Sequence, residues 1–256
     1  MTARIAAAIV SSCVAVGLAG CTGFYEIPVE TPVQAKIDVS SFQRVLVAGF
    51  LGGGSRSIDA NTETARLLRS QLRGKQDLRV IDADAISLAE EVDKRLGREK
   101  PEASPSAADL DPRIRDEKDL AAYEAIFSDA AYWKKVGEEY QSPLIVTGSV
   151  LFTEVAKSGV VSRPQSFVND QGQEQYRTVR TYSDMKGYAV SSKFVFIDGR
   201  TGAQLHSESY HEETLYPSAQ NTPALSSYFE LMDKVLPSFL NTLSTQKIRG
   251  SRILLR

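Results

Sequence analysis

Two cysteines, two histidines and one tryptophan in 256 residues remove several function classes at the outset. Cys13 and Cys21 allow one disulfide at most, so no disulfide framework holds the chain together. A chain of this length can bury a sizeable core without one. His206 and His211 lie five apart on a predicted strand and therefore point to opposite faces. Glu212 and Glu213 do not mend this, because a zinc site needs three or four convergent ligands. There is no G-x-S-x-G for a nucleophile elbow, no G-x-G-x-x-G and no G-x-x-x-x-G-K-[ST]. Neither sign of charge dominates: 30 basic and 32 acidic side chains leave a net charge of −2, no electrostatic footprint for nucleic acid. No catalytic, cofactor-binding or metal-binding residue is assigned, and the chain is not expected to be an enzyme.

What is present begins at the amino terminus. Met1-Thr2-Ala3-Arg4 is a short positive region, and Ile5–Leu18 is apolar except for Ser11, Ser12 and Gly17. That run is too short to span a bilayer comfortably, which takes about 20 apolar residues, and it fits the apolar part of an export signal. Leu18-Ala19-Gly20-Cys21 follows. It resembles the lipobox of bacterial lipoproteins. The resemblance implies that a diacylglycerol is attached to the Cys21 thiol, that residues 1–20 are removed, and that the new amine is acylated. Cys13 is then discarded and Cys21 cannot pair. Arg4 is the one charged residue lost, so the mature chain has a net charge of −3. By the same resemblance, Thr22 in place of Asp after the cysteine implies the outer membrane, facing the periplasm.

Residues 21–41 read as a lipidated tether, with Gly23, Pro28 and Pro32 and no clear period. About twenty flexible residues have a root-mean-square span near 25 Å and an extended limit near 65 Å. Residues 42–256 read as one domain. Val45–Phe50 is a continuous apolar run suited to a strand buried on both faces. Gly52-Gly53-Gly54-Ser55 reads as a flexible turn, which outweighs a phosphate loop because no Lys follows. A helix capped by Asp59, Asn61 or Thr62 covers Glu63–Arg73, and Leu78–Asp82 is a second strand, which together make a parallel βαβ unit. Asp82 or Asp84 begins another helix. Residues 97–118, with Pro101, Pro105 and Pro112, read as a mobile insertion. Asp119–Phe127 suits a short helix.

Asp129 caps a helix carrying Trp133, Val136 and Tyr140, and Leu144–Phe152 is the next strand. Residues 153–187 are polar and read as a second mobile insertion, with a hairpin turn available at Asn169–Gln173. Tyr188–Asp198 and Ala203–Glu212 pair around Asp198-Gly199-Arg200-Thr201-Gly202, the glycines supplying positive φ. Thr222-Pro223 starts a long helix that Pro237 kinks. Arg252–Arg256 suits a short terminal strand. The expected fold class is therefore α/β, a single mixed sheet with a mainly parallel core and helices packed on it. Glu90/Glu91 and Glu138/Glu139 diverge on helices and read as solvated faces, not a hydrolase pair. Tyr132-Trp133 reads as a core anchor.

Val45–Phe50, Leu144-Ile145-Val146-Thr147-Gly148-Ser149-Val150 and Lys193–Leu205 together resemble a group of envelope lipoproteins and domains. The group comprises the curli secretion lipoprotein, the lipoprotein activator of penicillin-binding proteins and the amino-terminal domain of the Tol system's propeller protein. The resemblance covers residues 42–98, 129–152 and 188–243. It implies a small α/β sandwich without shared catalytic residues, and a binding or assembly role toward another envelope protein. Within the group a secretion-channel subunit is the alternative, but Lys157, Arg163, Arg177, Arg180, Asp184 and Lys186 break the apolar alternation that a lipid-facing hairpin needs. A wall hydrolase is a third reading. Oligomeric state is left open.

Overall fold

The computed structural model describes residues 24–74, 78–98, 113–244 and 246–255. The signal 1–20, Cys21 and most of the 97–118 insertion lie outside these. The described residues fall into two compact units, one within Lys36–Ser244 and one formed by the two chain ends.

The larger unit is α/β, with one mixed five-stranded sheet as expected. Its strands are β2 (Arg44–Gly54), β3 (Arg79–Val80), β4 (Leu144–Val168), β5 (Glu174–Asp198) and β6 (Gln204–Pro217), in the order β3-β2-β4-β5-β6. The pairs β3–β2 and β2–β4 are parallel, and β4–β5 and β5–β6 are antiparallel. Helices α1 (Ala60–Arg73) and α5 (Ala224–Leu243) supply the core on one face. The other face is covered by α2 (Leu88–Arg95), a 3₁₀ turn (Glu124–Ser128) and α4 (Ala130–Glu139), with α3 (Glu117–Ala121) beside them.

This sandwich explains the apolar runs. Val45 and Val47 belong to the first core while Leu46 and Ala48 belong to the second, so each strand residue has an apolar layer to enter. A bulge between Val47 and Gly49 shifts the register against β4, and Phe50 returns to the first core. Gly49 has φ of 147°, and a Cβ there would lie 2.4 Å from the Ile86 carbonyl oxygen. That approach also explains why α2 starts late. Ile81 N–H donates to the Val45 carbonyl (2.9 Å) and Ile86 N–H to the Ala48 carbonyl (2.6 Å), which keeps the chain extended past Asp82 and Asp84 until Ser87.

The other helix starts follow the expected chemistry in part. Asp59 caps α1, accepting from Thr62 N–H at 3.2 Å, and Asp129 caps α4, accepting from Tyr132 N–H at 3.0 Å. Pro223, not Thr222, occupies the cap position of α5 and makes no side-chain cap bond. The stripe Tyr228, Leu231, Met232, Val235, Leu236, Phe239 and Leu243 is buried, each side chain contributing about 1.5–3 kcal/mol of transfer free energy. In the β5–β6 turn only Gly202 has positive φ, 74°. Gly199 is there for close packing, since a Cβ would meet the Pro143 carbonyl oxygen at 2.4 Å.

Two expectations change. Residues 153–187 are not a loose insertion: they extend β4 and β5 into strands of 25 residues each. The segment read as a tether contains β1 (Phe24–Val33), which pairs antiparallel with β7 (Gln246–Leu255) along its whole length. Pro28 and Pro32 hid this strand, yet a two-stranded ladder is all edge, where proline is tolerated.

Candidate functional site

The sheet positions one feature that its own packing does not use. Pairing of β2 with β4 ends at Gly54 and Phe152, and pairing of β6 with β5 ends at Pro217 and Met185. Beyond Lys157 and Met185, residues 158–168 and 174–184 ladder only with each other, except that Ser218 N–H donates to the Asp184 carbonyl at 3.0 Å. Eleven residues at about 3.3 Å each make a ribbon roughly 35 Å long. Its tip is built, not slack. Asn169 Oδ1 accepts from Gln171 N–H (3.1 Å) and Gln173 N–H (2.8 Å), and Gly172 takes φ of 76° to close the turn. The root is pinned by Lys157, whose Nζ lies 2.6 Å from a Glu213 carboxylate oxygen.

Alternation assigns the ribbon's faces. The face continuous with Phe152 and Val190 carries Val160 opposite Tyr182, Ser166 opposite Tyr176, and Val168 opposite Glu174. Val160, Val168, Tyr176 and Tyr182 are 66–73% exposed, an apolar and aromatic set turned to solvent. The opposite face carries Val161 and Phe167, with the Arg177 guanidinium 5.5 Å from the Phe167 ring centroid. Arg163, Arg177 and Arg180 balance Asp170, Glu174 and Asp184 along residues 158–184, so the ribbon attracts no partner by net charge.

The two edges differ. Pro164 interrupts the outer edge of β4, the usual device for blunting an edge. The outer edge of β5 from Glu174 to Asp184 contains neither Pro nor Gly and is rich in β-branched and aromatic residues: Tyr176, Thr178, Val179, Thr181 and Tyr182. It lies in line with β6, which stops at Pro217. A pocket of about 270 Å³ opens at this junction, lined by Glu154, Lys186, Tyr188, Tyr216 and Thr222 among others. The Thr222 hydroxyl is buried without a hydrogen-bond partner. Burial and the Glu154 carboxylate push the Tyr188 phenol above its usual range, so it stays a neutral donor at this wall.

The residues singled out in the sequence sit elsewhere. Gly52, Gly53 and Gly54 are the end of β2, paired with Val150, Leu151 and Phe152, not a turn. Each permits close approach: a Cβ on Gly53 would lie 2.3 Å from the Ile114 carbonyl oxygen. With Asp59 capping α1 and Glu63 in its first turn, that helix start repels an anion. His206 and His211 do lie on opposite faces of β6, opposite Phe196 and Ser191. Glu91 pairs with Arg95 and Glu90 with Arg113 on the surface; Glu138 and Glu139 are exposed. Trp133 is fully buried, its Nε1–H donating to the Ile126 carbonyl at 2.8 Å.

One contact was not anticipated: Ser191 Oγ lies 2.9 Å from His211 Nδ1. Register makes them cross-strand neighbours between β5 and the edge strand β6. Nucleophilic catalysis would need an acid orienting the other nitrogen, and among the described residues no carboxylate does so. No cluster of three metal-ligating side chains occurs among the described residues, and no helix among them is long and apolar enough to cross a membrane.

What fold and surface define is an α/β domain with a projecting β-ribbon. No family model matches the chain, and no curated protein matches it. Among solved structures it is similar to lipoprotein GNA1162 from Neisseria meningitidis, at 15% identity and a TM-score of 0.34, over 79% of this chain and 99% of that one. A likeness this distant says nothing about what this chain does.

Proposed function

We propose that this chain is a lipid-anchored protein of the bacterial cell envelope, held in the outer membrane through Cys21 and facing the periplasm, that acts as a non-catalytic binding or assembly adaptor for another envelope protein. The address rests on the Leu18-Ala19-Gly20-Cys21 signal. The role rests on one observation: the ribbon past Met185 has two free edges and exposes Val160, Val168, Tyr176 and Tyr182. An isolated two-stranded ribbon has no core of its own, and a long free edge invites another strand. The mode that fits is β-augmentation: an extended partner segment adds to the Glu174–Ser183 edge and continues the line of β6, with its side chains laid over the tyrosine face. A photo-crosslinking residue at Thr181 tests this in cells. A discrete adduct with one envelope protein, absent when the same residue sits at exposed Lys135, supports it; equal yields of diffuse adducts at both positions sink it.

Ribbon length favours a second reading, a subunit of an outer-membrane channel. Strands of 9–11 tilted residues span a bilayer, and the free strands have eleven each. Against it, Arg180 shares the tyrosine face and would cost about 2–4 kcal/mol at a bilayer midplane. Light scattering of the lipidated protein in detergent separates the two: a large defined ring favours the channel, a monomer or dimer the adaptor.

A further inference from the structure

Polarity changes along the ladder formed by the two chain ends. Near Cys21 the register places Phe24 opposite Leu255, Tyr25 opposite Leu254 and Glu26 opposite Ile253. At the far end it places Glu30 opposite Arg249, Thr31 opposite Ile248 and Pro32 opposite Lys247, and Arg249 Nε lies 3.0 Å from a Glu30 oxygen. Among the described side chains of the ladder, the exposed large apolar ones, Ile27 and Ile253, both belong to the half nearest Cys21. Only Thr22 and Gly23 separate Cys21 from Phe24, a reach of about 10 Å when extended.

We infer that the Cys21-proximal end of the β1–β7 ladder is seated in the phospholipid interface, beside the acyl chains on Cys21. This rests on reading Cys21 as the lipid carrier. The composition suits that layer. Tyrosine prefers the boundary where one end of the ring is apolar and the other wet. Ile253 and Ile27 supply exposed apolar area, and the sequence at this end is otherwise rich in apolar and aromatic residues, Phe24, Tyr25, Leu254 and Leu255. Arg252, opposite Ile27, reaches lipid phosphate with its head while its stem stays apolar. Glu26 is the one acidic residue at this end, and it pairs in register with Ile253 across the ladder. The charged far end stays in water. A two-stranded sheet lacks a core, and the membrane gives this one a surface to lie on.

Electron paramagnetic resonance on the full-length, processed protein tests this. A nitroxide is placed at Ile253→Cys or at Thr31→Cys, with the protein in vesicles of phosphatidylethanolamine and phosphatidylglycerol. Accessibility to oxygen, which concentrates in lipid, is compared with accessibility to a water-soluble nickel chelate. The expected result is an oxygen-to-nickel ratio several-fold higher at 253 than at 31. Equal, water-like ratios at both sites, in protein whose mass shows acylated Cys21 and which floats with the vesicles, overturn the inference and leave the anchor standing. Protein without acyl mass on Cys21 overturns both.

Discussion

Val160 and Tyr182 stand directly opposite each other in the ribbon, and both are about two-thirds exposed. Nothing else in their half of the hairpin buries them, so they contribute little to folding and, on the proposed reading, supply contact area to a partner. Tyr182→Ser should shift stability by no more than about 0.5 kcal/mol while cutting the yield of partner crosslinking from Thr181 several-fold. Urea melts beside crosslinking yields check this. A large loss of stability would mean that the tyrosine face is part of the domain's own structure.

Glycine at position 53 is required by packing. Gly53→Ala places a Cβ against the Ile114 backbone, and the loop carrying Ile114 must move out of the second core. The expected cost is on the order of 2–4 kcal/mol. Gly159→Ala, in the ribbon, meets nothing within 4 Å and should change stability by less than about 0.5 kcal/mol. Thermal melts of the two variants compare a packed strand end with a solvated one.

Alkali should destabilise the domain through two tyrosines. The Tyr228 hydroxyl lies 2.6 Å from that of Thr64, and burial pushes its phenol far above the usual range. Burial raises Tyr210 to about 12. An unfolded tyrosine loses its proton near pH 10, so above that pH the unfolded state binds fewer protons than the folded one and stability falls as pH rises. The contribution is intact below about pH 10 and is lost progressively toward and past about pH 12 for Tyr210. Tyr228→Phe should cost about 1 kcal/mol at neutral pH and flatten the alkaline decline. Urea midpoints measured across that range should show the shallower slope.

On the proposed reading, anchoring depends on the Cys21 thiol. Cys21→Ala should release the protein from membranes, because several acyl chains at about 0.8 kcal/mol per buried methylene account for retention. Fractionation of cells expressing the variant checks this. A variant that still sediments fully with membranes would remove the lipid from the account.

The amino-acid sequence by itself determined the buried architecture. Val45–Phe50, Leu144–Phe152 and Tyr188–Asp198 announced strands because a residue apolar on both faces has one place to go, between two helical layers. Asp59 and Asp129 announced helix starts because a cap is a local hydrogen bond. Tertiary structure alone decided the rest, and for one reason: those features depend on partners far away in the chain. Residues 153–187 looked like loop because a ribbon wet on both faces needs no apolar alternation; its extension follows from β4 and β5 already being paired below it. The β1–β7 ladder joins residues more than 200 apart, a pairing that neither strand's composition announces. Gly52–Gly54 read as flexible because the need for a missing Cβ at Gly53 lies in Ile114, some sixty residues away in sequence.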